Sequence, residues 1–150
     1  MDRDDLADVR AAGLRLLARR EHSAKELSQK LQARGYEPAQ VEAVIAQLRS
    51  EGLLSERRFA EEFVRARRNR GYGPMKIRAE LSARGVDPAV ADSYLQASEE
   101  EWQALALAQY KKRFGGQIPA SPAERGKHYR FLSSRGFTAE QIRRVLDGRA

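Results

Sequence analysis

Cysteine is absent from this chain of 150 residues, and histidine occurs only twice. The absence of thiols excludes disulfides and thiolate metal sites. His22 and His128 lie far apart in the sequence, and neither belongs to a pair of metal ligands at helical spacing. We therefore predict that the protein has no metal site.

The sequence also lacks the motifs of the common nucleotide-dependent and hydrolytic enzymes. It contains no Gly-rich phosphate loop, no dinucleotide-binding fingerprint and no nucleophile elbow. Most acidic residues fall at predicted helix starts or on polar faces, where they stabilise helices. We predict a protein that is not an enzyme, with no catalytic residues and no cofactor.

Long apolar runs and strand patterns are missing as well. No apolar run reaches the length that spans a membrane, and the acidic first residues are unlike a signal peptide. We therefore expect a cytoplasmic protein without membrane contact. No segment alternates apolar and polar residues as a half-buried strand does, which indicates an all-α fold.

The chain does contain one pattern three times, at offsets of 50 and 51 residues. A leucine is followed three residues later by arginine, then by glycine and by an apolar residue. Glycine in this position favours a left-handed residue that ends a helix. The three copies are Leu31 with Arg34-Gly35-Tyr36, Leu81 with Arg84-Gly85-Val86, and Leu132 with Arg135-Gly136-Phe137.

This tandem repeat predicts nine helices in three triads, with three-helix repeats at residues 1–54, 55–98 and 99–150. Repeats of about 50 residues are too small to bury much surface alone, so they should pack on one another. We expect an elongated, curved array.

The first helix should run from about residue 5 to residue 20. Gly13 is expected at a close helix contact. The residues expected to face the core are Leu6, Val9, Leu14 and Leu17.

The net charge of +7 is concentrated in the last third of the chain. Residues 102–150 contain ten lysines and arginines but only three acids, whereas residues 1–101 are neutral. Within the neutral part, residues 63–79 contain six basic residues and no acid. Such asymmetry indicates an anionic partner, either nucleic acid or an acidic protein surface.

These two basic regions and one aromatic residue between glycines are the candidate binding site. An alternative is that the arginines form an ordinary solvated helix face and that Tyr72 only packs a corner between two helices. The candidate residues are Arg65, Arg67, Arg68, Arg70, Tyr72, Lys76, Arg78, Lys111, Lys112, Arg113, Arg125, Lys127 and Arg130.

Two short helices around a glycine turn in each repeat are similar to a helix-turn-helix. A helix that reads DNA usually places Arg, Asn or Gln near its N-terminus. The corresponding positions, residues 38–40, 88–90 and 139–141, are Pro-Ala-Gln, Pro-Ala-Val and Ala-Glu-Gln. We interpret the repeats as a scaffold and not as readers of DNA sequence.

Several motifs together resemble the RecX family of bacterial RecA regulators. They are residues 19–27, residues 59–63 with 70–77, and the three Arg-Gly turns, and the resemblance extends over nearly the whole chain. The third repeat departs most from the pattern, because His128 stands where Leu27 and Ile77 stand in the others.

The resemblance implies a non-enzymatic protein that binds RecA nucleoprotein filaments on single-stranded DNA, along their helical groove. It would restrain RecA ATPase, strand exchange and stimulated repressor cleavage. A weak direct contact to nucleic acid is a further expectation. The residues alone leave a second hypothesis open, a general nucleic-acid-binding helical repeat protein whose affinity comes mostly from counterion release. The sequence does not predict the oligomeric state.

Overall fold

The computed structural model describes residues 3–96 and 98–149, and that part of the chain contains nine α-helices and no strand. This confirms the all-α prediction of three helical triads. The helices are α1 (Arg3–Arg19), α2 (Ala24–Ala33), α3 (Pro38–Ser50), α4 (Glu56–Asn69), α5 (Pro74–Ala83), α6 (Pro88–Leu95), α7 (Glu99–Phe114), α8 (Pro122–Ser134) and α9 (Ala139–Leu146).

Most of these helices begin at a residue whose side chain accepts from free backbone N–H groups. At the start of α2, Ser23 Oγ accepts from the Glu26 N–H at 3.1 Å. The Glu26 carboxylate in turn accepts from the Ser23 N–H at 3.2 Å. The same reciprocal capping box opens α7 and α9, so local sequence fixes where these helices begin.

Each Arg-Gly turn ends a helix in the same way. Gly35, Gly85 and Gly136 have φ angles of 96°, 79° and 101°, in the left-handed region that glycine adopts most easily. The apolar residue after each glycine donates its N–H to the carbonyl of the leucine in the same repeat, at 3.1–3.3 Å. This Schellman motif reverses the chain and starts the next helix.

Each triad packs around a core of its own. The leucines that precede the three turns, Leu31, Leu81 and Leu132, are completely buried, each in a different cluster. Extensive contacts between helices all lie within α1–α3, α4–α6 or α7–α9. The protein is therefore a series of three small bundles and not one continuous core.

The buried face of α1 differs from the predicted one. Leu6 is 44% exposed, so its prediction as a core residue was wrong, and Leu14 and Leu17 are only half-buried. A Cβ on Gly13 would lie 3.3 Å from Leu48 Cδ1, so α1 and α3 approach closely at that point. Val9 is completely buried, which confirms its prediction, and Ala12 and Leu16 of a neighbouring stripe complete the core face of α1.

His128 replaces a core aliphatic residue in the third repeat and is itself buried, with 7% exposure. Its ring stacks on Phe114 with a centroid distance of 3.8 Å. Its Nδ1 lies 2.9 Å from the Tyr110 hydroxyl, which donates to the Gln117 carbonyl at 2.6 Å and therefore accepts from the imidazole. This hydrogen bond satisfies Nδ1, one of the two ring nitrogens that the histidine brings into the core.

Trp102 connects the second triad to the third. It is the first large residue of α7, yet its ring is buried in the core of α4–α6. The indole N–H donates to the Leu95 carbonyl at 3.1 Å, which ties α7 to the end of α6. The core of the middle repeat therefore depends on a residue of the next repeat.

Candidate interaction surface

In the structure, cations of the basic run of the middle repeat pair with acids, although residues 63–79 themselves contain no acid. Arg67 Nε lies 2.8 Å from a Glu80 carboxylate oxygen, and its guanidinium lies over the Phe63 ring at 4.2 Å. Arg78 pairs with Asp92 at 2.9 Å. Glu80 follows the acid-free segment directly in α5 and Asp92 lies in α6, so a run without acids in the sequence is not a surface without acids.

Two more candidate cations also have carboxylate partners. Arg68 lies over the Trp102 ring at 4.9 Å and 3.8 Å from a Glu101 oxygen. In the third repeat, Arg125 pairs with Asp147 at 3.0 Å, and this partner lowers the pKa of the Asp147 carboxyl. Pairs this exposed contribute little to stability individually, but they reduce the charge available to a partner.

Tyr72 lies in the junction between the second and third repeats. The turn around it receives the Arg135 turn, since Gly73 N–H donates to the Arg135 carbonyl at 2.8 Å and Met75 N–H to the Gly136 carbonyl at 2.9 Å. The Arg135 guanidinium lies 4.4 Å from the Tyr72 ring centroid. Its Nη2 donates to the Arg70 carbonyl at 2.6 Å, so the junction is both hydrogen-bonded and stacked.

Close backbone approach explains the glycines of this junction. A Cβ on Gly73 would lie 2.6 Å from the backbone of Gly136, a distance that real Cβ atoms do not tolerate. A Cβ on Gly136 would meet both the backbone nitrogen and the Cβ of Lys76. The Gly-Tyr-Gly segment of the sequence is therefore a docking surface for the next repeat.

A related junction joins the first and second repeats. The Arg84 guanidinium lies 3.3 Å from Glu26 in the first turn of α2, and also over the Phe63 ring at 4.7 Å. Lys25 Nζ donates to the Ala83 carbonyl at 3.1 Å. In both junctions an Arg-Gly turn packs on the start of the second helix of the preceding repeat.

The corresponding turn of the first repeat faces solvent. Arg34 is exposed and its side chain has no hydrogen bond, ion pair or ring contact within the described chain, and a Cβ built on Gly35 meets no other part of the structure within 4 Å. Unlike the turns of the second and third repeats, this turn packs on no helix start within the described residues. Sequence reasoning recognised the three turns but did not identify Arg84 and Arg135 as junction residues.

The remaining candidate residues are more available to a partner. Lys76 lies 5.2 Å from the Tyr72 centroid, and Arg113 lies 5.6 Å from the rings of Phe114 and Phe131. Six others are exposed and have no ion pair, side-chain hydrogen bond or ring contact within the described residues. They are Arg65, Arg70, Lys111, Lys112, Lys127 and Arg130.

A cleft of about 670 Å³ separates α4 and α6 from α7. Its walls include the apolar residues Val64 and Leu105 and the ring of Tyr94. Arg65 lines this cleft together with the paired Arg68, so one of the unpaired cations borders a groove between two repeats. The cleft has the mixed polar and apolar lining that suits a protein segment.

Two features are absent from the residues that the structure describes. No group of three or more His, Cys, Asp or Glu side chains is arranged to hold a metal ion there. Among the same residues, no helix combines the length and the apolar character that crossing a bilayer requires.

These features define a class, a tandem array of three-helix bundles with basic surfaces. Family models for the first, second and third three-helix domains of RecX match residues 10–48, 55–95 and 99–146. The chain belongs to the RecX family, and the matches follow α1–α3, α4–α6 and α7–α9.

Similar proteins extend over almost the whole chain. The regulatory protein RecX of Halorhodospira halophila is 51% identical over 90% of this chain and 84% of its own length. The regulatory protein RecX of Pseudomonas fluorescens strain SBW25 is 47% identical over 97% of this chain and 94% of its own length. The chain is thus a member of a family of regulatory proteins.

Solved structures show the same fold at lower identity. The crystal structure of RecX from Lactobacillus salivarius superposes with a TM-score of 0.82 at 21% identity, covering 97% of both chains. A second crystal structure of regulatory protein RecX gives a TM-score of 0.81 at 23% identity, over 96% of this chain and 72% of the other. The arrangement of the three bundles persists although most residues differ.

Proposed function

We propose that this protein binds RecA nucleoprotein filaments on single-stranded DNA in the cytoplasm and lowers their activity, without catalysing a reaction itself. Membership of the RecX family supports the regulatory role. Six unpaired cations support the proposal that the second and third repeats provide the binding surface. The Arg135 junction fixes these two repeats relative to each other.

In this proposal the paired and the unpaired candidate residues have different roles. Arg67, Arg68 and Arg78 are engaged by acids and rings, so their main contribution is to the middle repeat and its boundary with the third. The unpaired cations keep their full charge for a partner. Since each phosphate or carboxylate contact is screened by salt, several cations must act together to give useful affinity.

Co-sedimentation with preformed RecA filaments tests this proposal, with free single-stranded DNA and DNA-free RecA as controls. We expect the chain to sediment with the filament, to reduce RecA ATPase at saturation, and to hydrolyse no nucleotide alone. Unchanged RecA turnover together with no filament association would contradict the proposal.

A general nucleic-acid binder is the second candidate, and the unpaired lysines of the third repeat favour it equally. Its affinity for naked DNA would equal its affinity for the filament and would fall steeply with salt. Filament binding that exceeds DNA binding at the same salt concentration excludes this candidate, because protein contacts must then contribute.

A further inference from the structure

A small cleft in the first repeat is lined by several cations, although residues 1–101 are neutral on average. It has a volume of about 230 Å³ and lies where α1 ends and α2 begins. One wall is the side chain of Leu16. The other lining residues are Arg19, Arg20, His22 and Lys30.

The His22 ring contacts two of the other residues that line this cleft. Its side chain is buried, with 1% exposure, and its two ring nitrogens contact the Arg20 carbonyl at 3.0 Å and Lys30 Nζ at 2.9 Å. Because an ammonium group can only donate, Nε2 is the bare nitrogen and Nδ1–H donates to the carbonyl. Lys30 is thus fixed by a neutral acceptor and keeps its positive charge.

The cleft contains more positive than negative charge. Glu26 is the neighbouring acid, but it also binds Arg20 at 3.2 Å and Arg84 at 3.3 Å. Within the described residues, Arg19 and Lys30 have no carboxylate partner. Burial and then the charge of Arg20 lower the pKa of Lys30, Glu26 opposes this shift, and Arg19 adds to the lowering, so Glu26 only partly offsets the repulsion among these cations.

The start of α2 adds little to this charge, because the backbone N–H groups of Ser23, Ala24 and Glu26 are already occupied. Ser23 and Glu26 close the capping box, and the Ala24 N–H donates to Glu56 at 3.2 Å. The charge of the cleft is therefore a property of side chains converging from α1, α2 and the segment between them.

We propose that this cleft is a subsite for a backbone phosphate of single-stranded nucleic acid. A phosphate oxygen accepts from both ammonium and guanidinium donors, and Arg presents two parallel N–H groups to it. Arg34 directly follows the last residue of α2, one helical turn beyond Lys30, so an exposed cation lies beside the cleft in the direction of a neighbouring phosphate. This proposal rests on the proposed function in one respect, because it assumes that the chain lies close to a DNA strand.

The test measures binding of a fluorescent oligothymidylate by anisotropy, with the full chain, between about 50 and 200 mM salt. Lys30→Gln keeps a donor for His22 but removes the charge, and Arg19→Gln removes the second cation. Each variant should bind about threefold to tenfold more weakly at low salt, and the salt dependence of log K should fall by about 0.7. Arg49→Gln is the matched control, an exposed cation of the same repeat outside the cleft, and should bind as the unsubstituted chain does.

Two results would overturn the subsite. In one, neither cleft variant weakens binding, or Arg49→Gln weakens it equally. In the other, calorimetry shows that inorganic phosphate binds the unsubstituted chain but not Lys30→Gln, while both chains bind the oligonucleotide equally, which would assign the cleft to a free anion. RecA inhibition measured with the same variants separates the two proposals, because the filament proposal survives if inhibition persists while the subsite fails.

Discussion

The Arg34 turn and the Arg135 turn share one backbone geometry but have opposite surroundings. Both close a helix with a left-handed glycine and the same Schellman bonds. Arg135 is enclosed by Tyr72 and the backbone of the middle repeat, whereas Arg34 projects into solvent. The comparison shows that local sequence determines the turn, and that the neighbouring repeat determines what its arginine does.

The leucine before each turn should not show this difference, because all three leucines are completely buried. We expect Leu31→Ala, Leu81→Ala and Leu132→Ala each to destabilise the fold by about 2–5 kcal/mol. Urea denaturation followed by circular dichroism measures the effect. An unchanged unfolding curve for any one of these variants would show that its leucine does not contribute to the core as the other two do.

The glycines should distinguish the two turns clearly. Gly35→Ala introduces only the left-handed strain of a non-glycine residue, about 1 kcal/mol, since its Cβ meets nothing. Gly136→Ala adds a collision with the backbone of Lys76, so we expect a total of about 2–4 kcal/mol. Equal losses of stability in the two variants would show that the junction shifts to accommodate the added Cβ with little loss of free energy.

Replacing the arginines themselves gives a smaller contrast. Arg135→Ala removes a charged hydrogen bond to the Arg70 carbonyl and a stacked cation, at a cost of about 1.5–3 kcal/mol. Arg34→Ala should change the free energy of unfolding by less than about 0.5 kcal/mol. Thermal melts of both variants test the contrast, and a destabilised Arg34→Ala would reveal a contact of this turn.

The smallest expected effect is a pH dependence from the first repeat. Burial, together with the charges of Arg20 and Lys30, lowers the pKa of His22 below its ordinary value of 6.5. The unfolded chain therefore binds this proton first, so the stability from neutral His22 is complete above pH 6.5 and is lost as the pH falls through the folded pKa. His22→Gln should reduce the pH dependence of the melting temperature between about pH 7 and pH 5.5. The same pH dependence in this variant and in the unsubstituted chain would contradict the assignment of the effect to His22.

The sequence predicted what depends on neighbouring residues. The glycine turns, the helices and the burial of Leu81 follow from local pattern, because capping and chain reversal are decided within a few residues. The placement of Leu6 was wrong because helical spacing alone does not show which of two adjacent stripes approaches α3.

The candidate site was harder to predict, because charge depends on partners that are distant in sequence. Arg67 stands in an acid-free run, yet Glu80 reaches it from α5. The cleft around Lys30 lies in a region that is neutral on average, since its acids occur elsewhere. Net charge over a window of sequence therefore does not separate free cations from paired ones.

The central claim is that unpaired cations of the third repeat contact the RecA filament. Reversing Lys111, Lys112 and Lys127 to Glu tests it most directly, since these exposed side chains have no partner within the described chain. Arg15 and Arg49, exposed cations of the first repeat, provide the matched reversal. RecA ATPase on single-stranded DNA is then measured against the concentration of each variant, after thermal melts confirm that both remain folded.

We predict that the triple reversal abolishes inhibition of RecA ATPase while its melting temperature stays close to that of the unsubstituted chain. The Arg15 and Arg49 reversal should inhibit as the unsubstituted chain does. Full inhibition by the triple variant, or an equal loss in the first-repeat variant, would contradict the account.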